Sequence, residues 1–295
     1  MKKILLITNS YFIKKNFQSY INQKKIKKKL LIKSSRQISK FILKNPKIKK
    51  QIEFCIVDFG LSGGIQYNIK NGCEILEKNV EGYLNVLNCL KDAEIRKVNF
   101  ISASCIYPKN MDILSESDFA KNNIEKTSIH YASSKMLGTL FIFYVNRNNK
   151  FNWKSIIPAT LYGKYNSTDH NNAHVIGAFF NKFKNPNNKI TLWGTGKVKR
   201  EFLHIMDFID AIFFINKHKF ENEIINVGTG TDMSIKALAK IFSELTKYTG
   251  KIMWDKSKPD GAKRKLLNSS YIFSKGWKPK ISIKEGILQL LEKSN

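Results

Sequence analysis

Cysteine is scarce: there are four in 295 residues, Cys55, Cys73, Cys89 and Cys105, and no two of them form a C-x-x-C pair. That excludes a zinc ribbon or a disulfide framework and points to a reducing, cytoplasmic compartment. No apolar run is long enough for a membrane span or a signal core, since the first, Ile4 to Ile7, gives way at once to Thr8-Asn9-Ser10. Proline is thin as well, with six residues and no Pro-rich linker, and no internal repeat suggests a solenoid. Acidic residues are the largest deficit. With 23 Asp and Glu against 51 Lys and Arg, the formal charge is +28, which ordinarily invites a polyanion. Lys, Asn and Ile are in excess together along the whole chain, however, as an AT-rich coding sequence makes them. The densest basic run, Lys24-Lys25-Ile26-Lys27-Lys28-Lys29, has no interleaved aromatics to stack bases. It reads as a solvated helix face, and neither nucleic acid nor membrane is expected as a partner.

What is present is a globular mixture, 42% hydrophobic and 25% charged, enough for one large core or two small ones. Short β-branched runs at Ile4–Thr8, Phe54–Val57, Val98–Ser102 and Ser155–Pro158 alternate with helical periods at Glu74–Leu90 and Ser133–Val145. This alternation predicts α/β architecture, a Rossmann-like doubly wound parallel sheet. After about residue 165 the texture turns to Asn-, Lys- and Gly-rich loops with shorter elements. We therefore expect a dinucleotide-binding domain over residues 1–165 and a smaller C-terminal α/β substrate lobe over 166–295, with some strands returning to the first domain. In an open parallel sheet, ligands collect at the carboxyl ends of the strands.

Tyr131-Ala132-Ser133-Ser134-Lys135 puts a phenol and an amine four residues apart, on one helix face and roughly 6 Å from each other. An ammonium so placed lowers a phenol's pKa towards neutrality and suits Tyr131 to pass a proton to or from a sugar oxygen, while Lys135 holds a cofactor ribose. The pair is weak alone, but it has company. Upstream stands Ser102-Ala103-Ser104-Cys105-Ile106-Tyr107-Pro108-Lys109. Downstream come Pro158-Ala159-Thr160-Leu161-Tyr162-Gly163, Ala173-His174-Val175, Trp193-Gly194-Thr195-Gly196, Arg200-Glu201-Phe202-Leu203-His204, Asn226-Val227-Gly228-Thr229-Gly230 and Ser257-Lys258-Pro259-Asp260-Gly261.

In order and spacing these strings resemble the extended short-chain dehydrogenase/reductases, the NAD-dependent epimerase/dehydratase family, and within them the GDP-L-fucose synthases. The likeness is dense from about residue 95 to residue 285 and thin before residue 70. It implies an enzyme that epimerises a GDP-4-keto-6-deoxy sugar at C3 and C5 and then reduces C4 with NADPH, for polysaccharide synthesis, as a homodimer. By the same resemblance Tyr131 is the proton donor at O4 and Lys135 its cofactor-binding partner. Cys105 and His174 move the protons at C3 and C5. Ile101, Ser102, Ser104, Pro158, Leu161, Lys135 and His174 fall at positions that line NADP(H). Lys182, Trp193, Arg200 and Asp260 fall at those that hold the GDP-sugar, with Lys182 where Arg is common.

The chain departs from the pattern in four places. Thr8, Tyr11 and Lys14 stand at the three glycine positions of G-x-x-G-x-x-G, whose bareness lets a pyrophosphate approach the helix N-terminus. Ala103 replaces the Ser that bonds the catalytic Tyr. Thr160 replaces the Asn of P-T-N-L-Y-G, and Asp58-Phe59-Gly60-Leu61-Ser62-Gly63-Gly64 replaces A-A-x-V-G-G, bringing a carboxylate to the cofactor side. Two other readings therefore stand beside the bifunctional enzyme: an epimerase needing no hydride, and a non-catalytic protein that binds a nucleotide-sugar.

Overall fold

The computed structural model describes residues 2–109, 111–121, 123–147, 151–165, 175–184, 186–258 and 260–292. Its first layer is laid down by β1 (Lys3–Thr8), α1 (Tyr11–Gln23), β2 (Lys29–Lys33), α2 (Ile38–Lys44), β3 (Ile52–Asp58), α3 (Ile65–Lys70), α4 (Gly72–Asp92), β4 (Lys97–Ile101), α5 (Ile129–Asn146) and β5 (Asn152–Pro158). The strands read as unbroken apolar runs because both faces of the sheet are covered. In β1, Ile4 and Leu6 pack with Ile13 and Phe17 of α1, whereas Leu5 and Ile7 pack on the opposite side with Val57, Val86 and Leu87. The expected strands and the two expected helices are all there; β4 is shifted one residue towards the N-terminus of its apolar run, and the others are a residue or a few longer than theirs.

The remaining elements are β6 (Thr160–Tyr162), α6 (Val175–Lys184), β7 (Lys189–Trp193), β8 (Lys199–Arg200), β9 (Phe202–His204), α7 (Ile205–Lys217), β10 (Ile224–Val227), β11 (Met233–Ser234), α8 (Ile235–Thr246), β12 (Lys251–Asp255), β13 (Arg264–Lys265), α9 (Ser270–Ser274) and α10 (Ile283–Glu292). Strand β10 returns to the first layer beside β5. The rest form a β7–β12 pair, a β6–β9 pair and a ribbon with β8 between β11 and β13. A third apolar cluster, with Phe179, Phe183, Leu238, Phe242 and Ile287, joins α6, α8 and α10.

The main sheet is fully parallel and runs β2-β1-β3-β4-β5-β10. The order reverses between β1 and β3, so their carboxyl ends, Thr8 beside Asp58, mark the switch point where an open α/β sheet binds ligands. Only two strands lie on the β1 side of that point. The basic run is not a helix face. Lys24 closes α1 with its N–H bonded to the Tyr20 carbonyl, Lys25 takes φ 49° with its N–H on the Asn22 carbonyl, and Lys29 opens β2. The triplet Leu30-Leu31-Ile32 has a packing partner on each face of the sheet, and its flanking lysines suit an edge strand by discouraging further pairing.

Candidate active site

Helix α5 carries the phenol and the amine to the carboxyl ends of β3 and β4. Its Ala132, Lys135, Gly138, Thr139, Ile142 and Val145 face the core. Gly138 lets the helix lie so close that the Phe100 ring of β4 fills the space a side chain would take. Lys135 is only 3% exposed. Its Nζ donates to the carbonyls of Ile101 (2.7 Å) and Phe59 (3.3 Å) and lies 5.0 Å from the ring centres of Tyr83 and Phe100. Burial pushes this ammonium down to about 8, against the opposing pull of Asp58 and Cys105.

Ser62, from the loop after β3, lies within reach of the Tyr131 phenol. The expectation that Lys135 would bring the phenol towards neutrality is overturned. Burial, reinforced by Cys105 and Asp58, pushes the phenol well above its ordinary value, so it holds its proton. Cys105 sits in the single helical turn Ser104–Ile106 after β4, buried, and burial raises its thiol while Lys265 and Lys135 pull it back. Lys265, in the run Arg264-Lys265-Leu266-Leu267 that follows Asp260 and belongs to the same family resemblance, has no role in the sequence reading. It comes from β13, in register with Arg200 of β8, and so joins the substrate-side ribbon to the thiol. No spacing in the sequence signals it, because two-residue strands leave no periodicity.

The positions expected beside a cofactor share this edge of the sheet. Ile101 ends β4 with its carbonyl taken by Lys135. Ser102 is buried, its amide bonded to the Ile156 carbonyl and its hydroxyl accepting from Thr139. Ser104 opens the turn that holds Cys105, Pro158 ends β5 and Leu161 lies in β6. His174 lies outside the described residues.

On the other side, Asp260 accepts from the amide (2.7 Å) and hydroxyl (2.6 Å) of Thr195, pinning the turn that follows Trp193. Arg200 donates to the carbonyls of Ala262 (2.7 Å) and Lys199 (2.7 Å) and reaches that of Asp260 (3.4 Å). Trp193 is 62% exposed with the Lys258 ammonium 5.5 Å from its ring, and Lys182 donates to the Thr191 carbonyl two residues away. The four predicted substrate residues therefore form one neighbourhood. Glu201 welds it to the main sheet: its carboxylate is buried and accepts from the amides of Thr229 (2.6 Å), Gly230 (2.8 Å) and Leu267 (2.9 Å). A cleft of about 380 Å³ runs between Arg200, Thr229, Thr231 and Lys280.

A dinucleotide seated at such a switch point lays its pyrophosphate against bare backbone at the first helix. Here the Ser10 amide donates to the Thr8 hydroxyl (3.0 Å) and the Ile13 amide to the Ser10 hydroxyl (3.3 Å). The Thr8 hydroxyl in turn donates to Asp58 (3.4 Å). Tyr11, 61% exposed, stands edge-on to Tyr165 at 5.8 Å. Amides are engaged where phosphate oxygens would bond, a side chain projects where none is tolerated, and a carboxylate stands beneath. These residues do not fit the pyrophosphate of a dinucleotide.

A doubly wound parallel sheet carrying Tyr-x-x-x-Lys at its carboxyl edge and a cationic ribbon across from it defines a protein of the short-chain dehydrogenase/reductase kind. More narrowly, the chain belongs to the NAD dependent epimerase/dehydratase family, whose profile matches residues 33–228, beginning past the β1–α1 turn. It is 36% identical to GDP-L-colitose synthase of Yersinia pseudotuberculosis, over 79% of this chain and 78% of that one. It is also 36% identical to a probable GDP-L-fucose synthase of Oryza sativa subsp. japonica, over 77% and 71% respectively. Among solved structures it resembles in fold a GDP-6-OMe-4-keto-L-xylo-heptose reductase from C. jejuni, with a TM-score of 0.86 at 22% identity, over 99% of this chain and 97% of that one.

Proposed function

We propose that the chain epimerises a GDP-linked 4-keto-6-deoxy sugar. The observation that carries this reading is the meeting of a buried thiol, a phenol and an ammonium, Cys105, Tyr131 and Lys135, with Lys265 linking them to the Arg200–Asp260 neighbourhood. The GDP-L-colitose and GDP-L-fucose synthases among its relatives support GDP as the handle. Protons next to a keto group are acidified because the electron pair left behind spreads onto the carbonyl oxygen. Tyr131, kept protonated by burial, hydrogen-bonds that oxygen as its charge builds, with Lys135 behind it. A base on one face of the ring takes the proton from C3 or C5, and Cys105, itself protonated, returns one to the other face, inverting the carbon. His174 is the base this reading assigns. Arg200 and Lys182 meet the diphosphate, Asp260 holds the loop beside it, and Trp193 offers a flat surface to a ring.

Reduction at C4, the second half of the activity implied by the resemblance, is left out of this reading because the switch point does not accommodate the hydride carrier. Exposed Leu140 (52%) and Tyr144 (59%) on α5 support a homodimer through the α4–α5 face, and four free thiols support a cytoplasmic setting. The test is deuterium wash-in from heavy water at C3 and C5 of GDP-4-keto-6-deoxymannose. Wild type incorporates the label, and C105S loses at least about 100-fold in rate while still binding GDP. Wild type without incorporation would refute the proposal.

A further inference from the structure

The loop after β3 departs from the family pattern in sequence and is closely fastened in space. Gly60 takes φ 141° under the Tyr83 hydroxyl, which donates to the Phe59 carbonyl (2.9 Å). Asn79 accepts from the Leu61 amide (2.6 Å) and donates to the Leu61 carbonyl (3.0 Å). Two side chains of α4 thus hold residues 59–61 over α5. That fastening keeps Asp58, next in the chain to the Phe59 whose carbonyl Lys135 binds, within electrostatic reach of Lys135, and keeps Ser62 within reach of Tyr131.

Each contact answers a deficit elsewhere. Ala103 has no hydroxyl to offer Tyr131, and Ser62 supplies one from the loop beyond the carboxyl end of the neighbouring strand, β3. Lys135 lies among apolar rings, where a bare ammonium is costly, and its Nζ donates to two carbonyls, neither of which carries a full charge. Asp58 supplies the negative charge, itself fixed by the Thr8 hydroxyl that stands where a glycine would have opened the phosphate seat. Two of the residues that obstruct a dinucleotide, Thr8 and Asp58, therefore also help to complete the setting of Lys135. Resting on the epimerase reading above, we infer that the β3 loop has replaced the dinucleotide: Ser62 and Asp58 act as positioning residues for Tyr131 and Lys135, and the site performs proton transfer without binding NADP(H).

Calorimetric titration of the wild-type protein with NADPH and NADP⁺ tests the exchange of roles and needs no substrate. The expected result is no saturable binding at ligand concentrations up to about 1 mM, whereas saturation with a Kd below about 1 mM overturns the inference. The deuterium wash-in assay tests the residues. S62A falls about 10-fold or more in turnover with KM changed less than about twofold, and S62A/A103S, which returns a hydroxyl from the family's own position, recovers most of the loss. S62A at wild-type rate overturns the role of Ser62.

Lys135 faces Asp58 from β3, Tyr83 from α4, Cys105 from the turn after β4 and Tyr131 from its own helix. Removing the one carboxylate among them in D58N moves the alkaline limb of the pH–rate profile about one unit towards acid. An unmoved limb overturns the role of Asp58. If wild type exchanges no label at all, the epimerase reading falls, and the NADPH titration alone decides whether a dinucleotide has been replaced.

Discussion

Substituting Gly138 by alanine puts a methyl group where the Phe100 ring already lies. The new Cβ comes within 2.6 Å of Cε1 and 3.0 Å of Cε2, and nearer still to Cζ, against an ordinary separation of 3.4 Å or more. Phe100 has little room to retreat, being fully buried, edge-on to Tyr83 at 5.1 Å and beneath Lys135. Overpacking of this kind costs about 1–3 kcal/mol, while alanine returns about 1 kcal/mol of helix propensity. With three ring atoms at or inside 3.0 Å the cost falls in the upper part of that range, about 2–3 kcal/mol, so the net loss is about 1–2 kcal/mol, which for a chain of this length lowers Tm by on the order of 3 °C. Because the ring that moves supports the Lys135 ammonium, wash-in of deuterium should fall further than the stability change explains. Differential scanning calorimetry and the exchange assay measure the two effects. A Tm at or above that of wild type would refute the packing argument.

Other outcomes follow from the same geometry. R200K gives up a planar fork that bonds the Lys199 and Ala262 carbonyls, and should weaken GDP binding about 10-fold by calorimetry. D260A releases both bonds to Thr195 and should raise the GDP Kd about 10-fold, with a loss of about 1–2 kcal/mol in denaturant stability; unchanged values would detach Asp260 from the loop's support. The exchange rate should decline above about pH 8 as Lys135 loses its proton, and a flat profile to pH 9.5 would contradict it. On stability the sign is opposite. The folded pKa of Lys135 lies below its unfolded value, so its burial penalty is full below pH 8 and relieved as pH rises towards 10.5. Relative to K135M, the wild type should therefore gain about 2–3 kcal/mol over that window, measured by urea unfolding at several pH values.

Continuous apolar runs made β1, β3, β4 and β5 legible in the sequence, and 3.6-residue periodicity did the same for α4 and α5. Strand β2 was hidden because three apolar residues flanked by lysines look like an interruption in a basic run. The two-residue strands β8, β11 and β13 have no period to detect, and with them went Lys265, whose nearness to Cys105 exists only through its pairing with Arg200. The grouping of Trp193, Arg200 and Asp260 was readable through motif order, since each sits in its own string. What the sequence could not convey is compensation. Thr8, Asp58 and Ser62 read singly as departures from a dinucleotide site, and their joint use around Lys135 and Tyr131 depends on a loop conformation set by Asn79 and Tyr83. The reversed direction of the Tyr131 pKa has a similar origin, because depth of burial outweighs the charge one helical turn away.

The most direct test of the account is deuterium incorporation at C3 and C5 of GDP-4-keto-6-deoxymannose by the purified protein in heavy water, with no nicotinamide cofactor added. The account predicts incorporation at both carbons at a rate that added NADPH leaves unchanged. Incorporation that requires NADPH, or none under either condition, would contradict it.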